Sequence, residues 1–166
     1  MKTVIEEDVD FILLTGDLFD STVPNLDLAN EIFKVLKEVK RNGIRIYMIF
    51  GSHDNSRNRQ SITKLLSTTE IATYVSEEAM KIGQPEYYID EQTGVKIVGV
   101  DGLTGGVDRY IYEEMDKKKL ENEEGYKIFM FPFNFIITFL PSTSASISLN
   151  FCLISCAVNP STKISL

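Results

Sequence analysis

Val9–Asp20 reads V-D-F-I-L-L-T-G-D-L-F-D, and Ile44–Asn55 reads I-R-I-Y-M-I-F-G-S-H-D-N. Each is a short, nearly continuous apolar run that stops at a glycine and continues at once into polar residues. Runs of this length without strict alternation predict strands buried on both faces, the kind found in parallel sheets. Between them, apolar residues fall at positions 28/29, 32/33, 35/36 and 39 of Asn25–Arg41, the period of an amphipathic helix. Its ends are marked as well. Pro24-Asn25 opens the helix and Asp27 and Glu31 lie in or near its first turn. Lys37, Lys40 and Arg41 lie in its last turn, and Asn42-Gly43 closes it. Strand, helix and strand in succession predict a βαβ unit with a right-handed crossover.

Working outward, Ser61–Leu66 predicts a short helix, and Glu86–Asp90 with Val95–Val100 predicts a β-hairpin around Glu91-Gln92-Thr93-Gly94. A charged amphipathic helix is predicted over Val107–Asn122 and another buried strand over Tyr126–Phe131. The order of elements is that of a mixed α/β domain.

The 166 residues carry 24 acidic and 17 basic side chains, a net charge of −7. That balance argues against a basic nucleic-acid footprint spread over the surface. Composition also excludes collagen, coiled coil and disulfide scaffold. Cys152 and Cys156 form a C-x3-C pair with no further Cys or His nearby, a poor zinc site. The acidic N-terminus does not read as a secretory leader, so a cytoplasmic location is expected.

The distribution of charge is uneven. Of 41 charged residues, only Lys127 and Lys163 lie beyond position 125. Ile128–Leu140 is almost wholly apolar and 141–166 is dominated by Ser, Thr, Asn, Ile and Leu. Three origins compete for this tail: a membrane anchor over 128–158, a genuine globular end, and the product of a shifted reading frame. Pro132, Asn134, Pro141 and the Ser/Thr cluster interrupt every window of about 20 residues, the length a membrane helix needs.

Chemistry-bearing residues collect where the two apolar runs end. The first gives Gly16-Asp17-Leu18-Phe19-Asp20 and the second Gly51-Ser52-His53-Asp54-Asn55. Parallel neighbouring strands bring both clusters to one edge, where open α/β sheets bind ligands. Asp17 offers a hard anionic oxygen suited to Mg²⁺ or Mn²⁺. His53 can ligate a metal or act as a general acid. Asp54 and Asn55 read as loop formers, and Asp101-Gly102 reads as a turn outside the site.

Together these residues resemble the calcineurin-like metallophosphoesterases. Gly16-Asp17-Leu18-Phe19-Asp20 looks like the second motif of that superfamily, and Gly51-Ser52-His53-Asp54 like its Gly-Asn-His-Asp/Glu motif. The wider stretches are similar to the SbcD-type exonuclease subunit of double-strand-break repair. The resemblance spans residues 1–131 and implies a partial four-layer αββα sandwich with a βαβ core, followed by an uncharged tail over 132–166.

It implies metal-dependent phosphodiester hydrolysis on DNA ends, with two divalent ions, usually manganese, about 4 Å apart. On the same basis Asp17 matches the carboxylate that bridges both ions. His53 matches the histidine that protonates the leaving group or stabilises the transition state. Asp20 matches a position near the scissile phosphate. Ser52 stands where the family usually has an asparagine ligand, and its hydroxyl is a shorter and weaker donor. A coiled-coil ATPase of the repair type and a second copy of the chain are the protein partners implied, with no membrane.

The family's Asp-x-His motif and later histidine motifs have no counterpart here, since His53 is the only histidine. The resemblance stops where the composition breaks, which favours a truncated, frameshifted product over a new C-terminal domain. Weak or absent activity is therefore expected. The alternative is a non-catalytic remnant or interaction module, in which a half-sandwich leaves its inner sheet face uncovered.

Overall fold

Backbone pairing sorts the chain into two four-stranded sheets. The computed structural model describes residues 2–6, 9–19, 25–52, 62–76, 87–103, 113, 124–132, 135–139 and 151–154. In chain order the elements are α1 (Lys2–Glu6), β1 (Phe11–Leu14), α2 (Leu26–Arg41), β2 (Arg45–Met48) and α3 (Lys64–Thr68). They continue with β3 (Thr73–Tyr74), β4 (Tyr88–Ile89), β5 (Lys96–Gly99), β6 (Lys127–Phe131), β7 (Phe135–Phe139) and β8 (Phe151–Ile154). The first sheet runs β3-β2-β1-β8 and the second β4-β5-β6-β7.

The βαβ unit forms as its sequence dictates. β1 and β2 are parallel, with Phe11 opposite Arg45 and Leu14 opposite Met48. The Asn25 side chain caps α2 by accepting the Asp27 N–H at 2.8 Å, satisfying one of the otherwise orphaned donors of the first turn. At the other end Asn42 and Gly43 donate to Glu38 and Lys40 carbonyls, with Gly43 at φ 83. Ala29, Ile32, Leu36 and Val39, spaced three or four apart, are the buried residues of α2.

Alternation along the strands builds the layers. Ile12, Leu14, Ile46 and Met48 point to one face and pack with Ala29, Ile32, Leu36 and Val39 of α2. Phe11, Leu13, Tyr47 and Ile49 point to the other, where they meet Val95, Ile97, Ile128 and Met130 of the second sheet. Both faces of β1 are therefore buried, which explains its unbroken apolar run. The described residues make three layers: helices, first sheet and second sheet. The inner face expected to be bare in a half-sandwich is covered, since Phe11, Leu13, Tyr47 and Ile49 are each at most 2% exposed.

Several boundaries shift slightly, and three strands, β3, β7 and β8, are new. The predicted hairpin is antiparallel β4–β5, with Tyr88 opposite Ile97. The short helix predicted over 61–66 forms at Lys64–Thr68. Of the helix predicted over 107–122, only Glu113 lies among the described residues, and it is helical. No strand is predicted within the uncharged tail over 132–166, yet β7 pairs antiparallel with β6 and β8 pairs parallel with β1. F-I-I-T-F and F-C-L-I are locally good strand sequences, rich in aromatic and branched side chains. Overall charge content, which set the tail apart, does not report on that propensity. Among the described residues no helix is long and apolar enough to cross a membrane.

At the amino-terminal edge of the strands a polar knot ties the sheets together. Asp90, fully buried beside β4, receives Arg45 Nε at 2.5 Å and the Tyr47 hydroxyl at 2.5 Å, both from β2. Thr93 donates its N–H at 3.0 Å and its hydroxyl at 2.6 Å to the same carboxylate. Burial alone would raise the Asp90 carboxyl, but the bonds from Thr93, Tyr47 and Arg45 outweigh it and hold it below the usual carboxylate range. Burial, followed by the adjoining Asp90 acceptor, pushes the Tyr47 phenol far above its ordinary 10.0.

Candidate active site

At the opposite edge the carboxyl ends of four strands converge. β1 leads into Gly16-Asp17 and β2 into Phe50-Gly51-Ser52; β5 leads into Asp101-Gly102 and β6 into Pro132. Because β1 and β2 are parallel, and β5 and β6 are parallel, each pair delivers its loops to the same end. The edge predicted to carry the site thus receives loops from both sheets.

Backbone crowding fixes the arrangement. Gly16 has φ 90, in the region that glycine enters without steric cost. A Cβ there would stand 2.4 Å from Gly51 N and 2.6 Å from Gly51 Cα. Gly51 is as tightly confined: a Cβ on it would meet Asp17 Oδ1 at 2.1 Å and Asp17 N at 2.3 Å. The missing side chain of Gly51 is therefore the space that the Asp17 carboxylate occupies. Across the sheets, a Cβ on Gly102 would lie 2.8 Å from Ser52 N and 3.2 Å from Pro132 Cβ.

Asp17 itself has φ 49, a left-handed conformation that is uncommon outside glycine. Such a backbone costs about 1–2 kcal/mol and persists where its surroundings over-determine it. Here Gly51 presses against it, and the two residues that follow, Leu18 and Phe19, are anchored in the core. The half-buried carboxylate is thus held at the convergence of the strand ends.

Of the four residues singled out from sequence, the structure brings Asp17 and Ser52 to this edge together. Asp20 and His53 lie outside the described residues, as do Asp54 and Asn55. Among the described residues no three His, Cys, Asp or Glu side chains are grouped as a metal cage.

Asp101-Gly102 reads in sequence as a turn outside the site, yet Asp101 is 3% exposed and belongs to this edge. Its Oδ1 accepts the Phe50 N–H at 2.8 Å, and its Oδ2 accepts the Tyr74 hydroxyl. Its own N–H donates to Ser76 Oγ at 3.0 Å, and the next residue, Gly102, donates its N–H to the Phe50 carbonyl at 2.8 Å. The available signal was positional: Asp101 follows β5 as Asp17 follows β1, one short loop beyond a buried strand.

The sequence model of the calcineurin-like phosphoesterases matches residues 1–148. This chain belongs to that family. Calcineurin-like phosphoesterases use divalent metals, and the hard carboxylate oxygens of Asp17, held at the strand ends, are of a kind that suits such an ion. The family assignment bears out the resemblance read from the two glycine-ended motifs, and the parallel β1–β2 pair agrees with its α/β class.

The chain is similar to the DNA double-strand break repair protein Mre11 of Thermoplasma acidophilum, 29% identical over 126 residues. That match covers 74% of this chain and 32% of the Thermoplasma protein. It is also similar to the uncharacterized metallophosphoesterase YhaO of Bacillus subtilis, 43% identical over 55 residues, or 33% of this chain and 14% of that protein. The chain thus spans about a third or less of the length of these curated relatives.

Proposed function

We propose that the chain is the metal-dependent phosphodiesterase part of a DNA-end-processing nuclease of the double-strand-break-repair type. The observation that carries this reading is the Asp17 carboxylate, fixed against Gly51 where the strand ends of two sheets meet. Membership of a phosphoesterase family and the likeness to a DNA repair protein support the substrate class.

On this reading Asp17 and Ser52 would hold divalent metal; their oxygen donors suit Mg²⁺ or Mn²⁺, and the resemblance to the family selects Mn²⁺. A bound divalent ion supplies Lewis acidity, which activates water and neutralises the phosphoryl oxygens. Asp17 contributes the anionic oxygen and Ser52 a neutral hydroxyl, so the carboxylate dominates affinity. By resemblance to the family, His53, next in sequence to Ser52, would donate a proton to the leaving oxygen or stabilise the transition state, and Asp20 matches a position near the scissile phosphate. DNA ends and a coiled-coil ATPase are the partners implied. With a single histidine the chain by itself turns over slowly.

The test is hydrolysis of bis-p-nitrophenyl phosphate and of linear duplex DNA by the purified chain, with and without Mn²⁺. A low rate that requires Mn²⁺ and vanishes in Asp17→Asn is the expected result. Metal-independent hydrolysis, or Mn²⁺-dependent turnover that survives Asp17→Asn, would contradict the reading. Fast turnover would overturn the low intrinsic rate alone.

A further inference from the structure

We propose that Asp101 is a positioning residue of this site, through which the second sheet sets the loop that carries Gly51 and Ser52. Both main-chain polar groups of Phe50 end on the Asp101-Gly102 pair, the N–H on Asp101 Oδ1 and the carbonyl on the Gly102 N–H, each at 2.8 Å. Phe50 is the last residue before Gly51, so this clamp fixes where the chain leaves β2. The clamp is itself braced. Tyr74 and Ser76, which flank the end of β3, bond Asp101 Oδ2 and the Asp101 N–H, and the Tyr74 ring packs on the Phe50 ring with centroids 4.6 Å apart.

The consequence reaches Asp17 through one contact. Gly51 defines the space of the Asp17 carboxylate, with a clearance too small for a single methyl group. A displacement of Phe50 therefore moves the wall against which Asp17 rests. Asp101 acts without touching the reacting atoms: it is a strut between sheets, placed so that the geometry of the first sheet's loops depends on the second. A turn residue would need only its own loop; Asp101 instead bonds across 51 and 27 positions of sequence, to Phe50 and Tyr74.

The metal arm of the test rests on the proposed function, and a metal-free arm stands apart from it. In the metal-free arm, amide spectra of the ¹⁵N-labelled chain are compared for wild type, Asp101→Ala and Asp101→Asn. Asp101→Ala is expected to shift the Phe50, Gly51 and Ser52 signals and to speed hydrogen exchange at Phe50 at least tenfold. Asp101→Asn keeps an oxygen for the Phe50 N–H and is expected to restore most of both.

In the second arm, Mn²⁺ is titrated and its broadening of amide signals followed. Asp101→Ala is expected to weaken Mn²⁺ binding about tenfold or more, with rescue by Asp101→Asn. Unmoved 50–52 amides in folded Asp101→Ala would overturn the proposal, as would unchanged Mn²⁺ affinity beside moved amides. If Asp101→Ala does not fold, Tyr74→Phe serves: it removes one brace, and a Phe50 amide and Mn²⁺ affinity both unaffected would also overturn it. A wild-type chain that binds no Mn²⁺ sinks the functional reading and leaves the metal-free arm to decide the strut.

Discussion

Asp90 and Asp101 are both buried carboxylates that bridge the two sheets, one at each end of the strands, and they are built differently. At the amino edge Asp90 is saturated by side chains and by its own hairpin: Arg45, Tyr47 and Thr93. Charge meets charge, and the knot closes on itself. At the carboxyl edge Asp101 bonds the Phe50 backbone, in a region where glycines press backbone against backbone. The amino edge is made for cohesion. The carboxyl edge is made to hold loops in a strained, narrowly defined shape beside Asp17.

The largest effects should come from adding a methyl group at the carboxyl edge. Gly16→Ala combines a positive φ with a clash against Gly51 N, and should cost about 3 kcal/mol in a urea titration. Gly51→Ala should cost a similar amount and abolish Mn²⁺ binding, because its Cβ displaces the Asp17 carboxylate. Tight Mn²⁺ binding by either variant would remove the distinction between the edges.

Next comes Asp90→Ala, which strands Arg45 and Tyr47. Breaking a buried pair costs about 3–5 kcal/mol. The Arg45 side chain is 22% exposed, so water can recover part of that and about 2 kcal/mol is expected. The variant should keep the wild-type response to Mn²⁺. If it lost metal binding, the two edges would be coupled rather than separate.

A smaller effect follows from pH. The Asp90 carboxyl titrates lower in the fold than in the unfolded chain. Its contribution is therefore whole above about pH 4, the unfolded value, and is lost as pH falls through the folded one. Tyr47 runs the other way: its raised phenol contributes fully below about pH 10 and less as pH rises. As pH is lowered from 6 to 2.5, the melting temperature should fall more steeply for wild type than for Asp90→Asn, and parallel curves would contradict this. The smallest effect belongs to Gly94→Ala, at φ 71 with nothing within 4 Å of its missing Cβ. Only backbone strain opposes it, so about 1 kcal/mol is expected by urea titration, without change at either carboxylate.

Local signals carried the βαβ unit. The two apolar runs, the Asn25 cap and the Asn42-Gly43 stop all lie within the segments they specify, and the helical period needed only its neighbours. The hairpin was legible for the same reason. β8 was not, because its pairing joins Phe151 to Phe11 across most of the chain, and parallel partners leave no local mark. The site divides likewise. Asp17 and Ser52 were legible as residues that follow glycine-ended strands. Asp101 was hidden because Asp-Gly is good turn chemistry, and its partner Phe50 lies 51 positions away.

The central claim is that the carboxyl edge, and not the amino edge, takes up divalent metal through Asp17. Titrating Mn²⁺ into the ¹⁵N-labelled chain and mapping which amide signals broaden tests it most directly. The account predicts early loss of the Gly16, Asp17, Gly51 and Ser52 signals, sharp signals from Thr93 to Lys96, and no broadening at either edge in Asp17→Asn. Broadening centred on Asp90, or a carboxyl-edge pattern unchanged in Asp17→Asn, would contradict it.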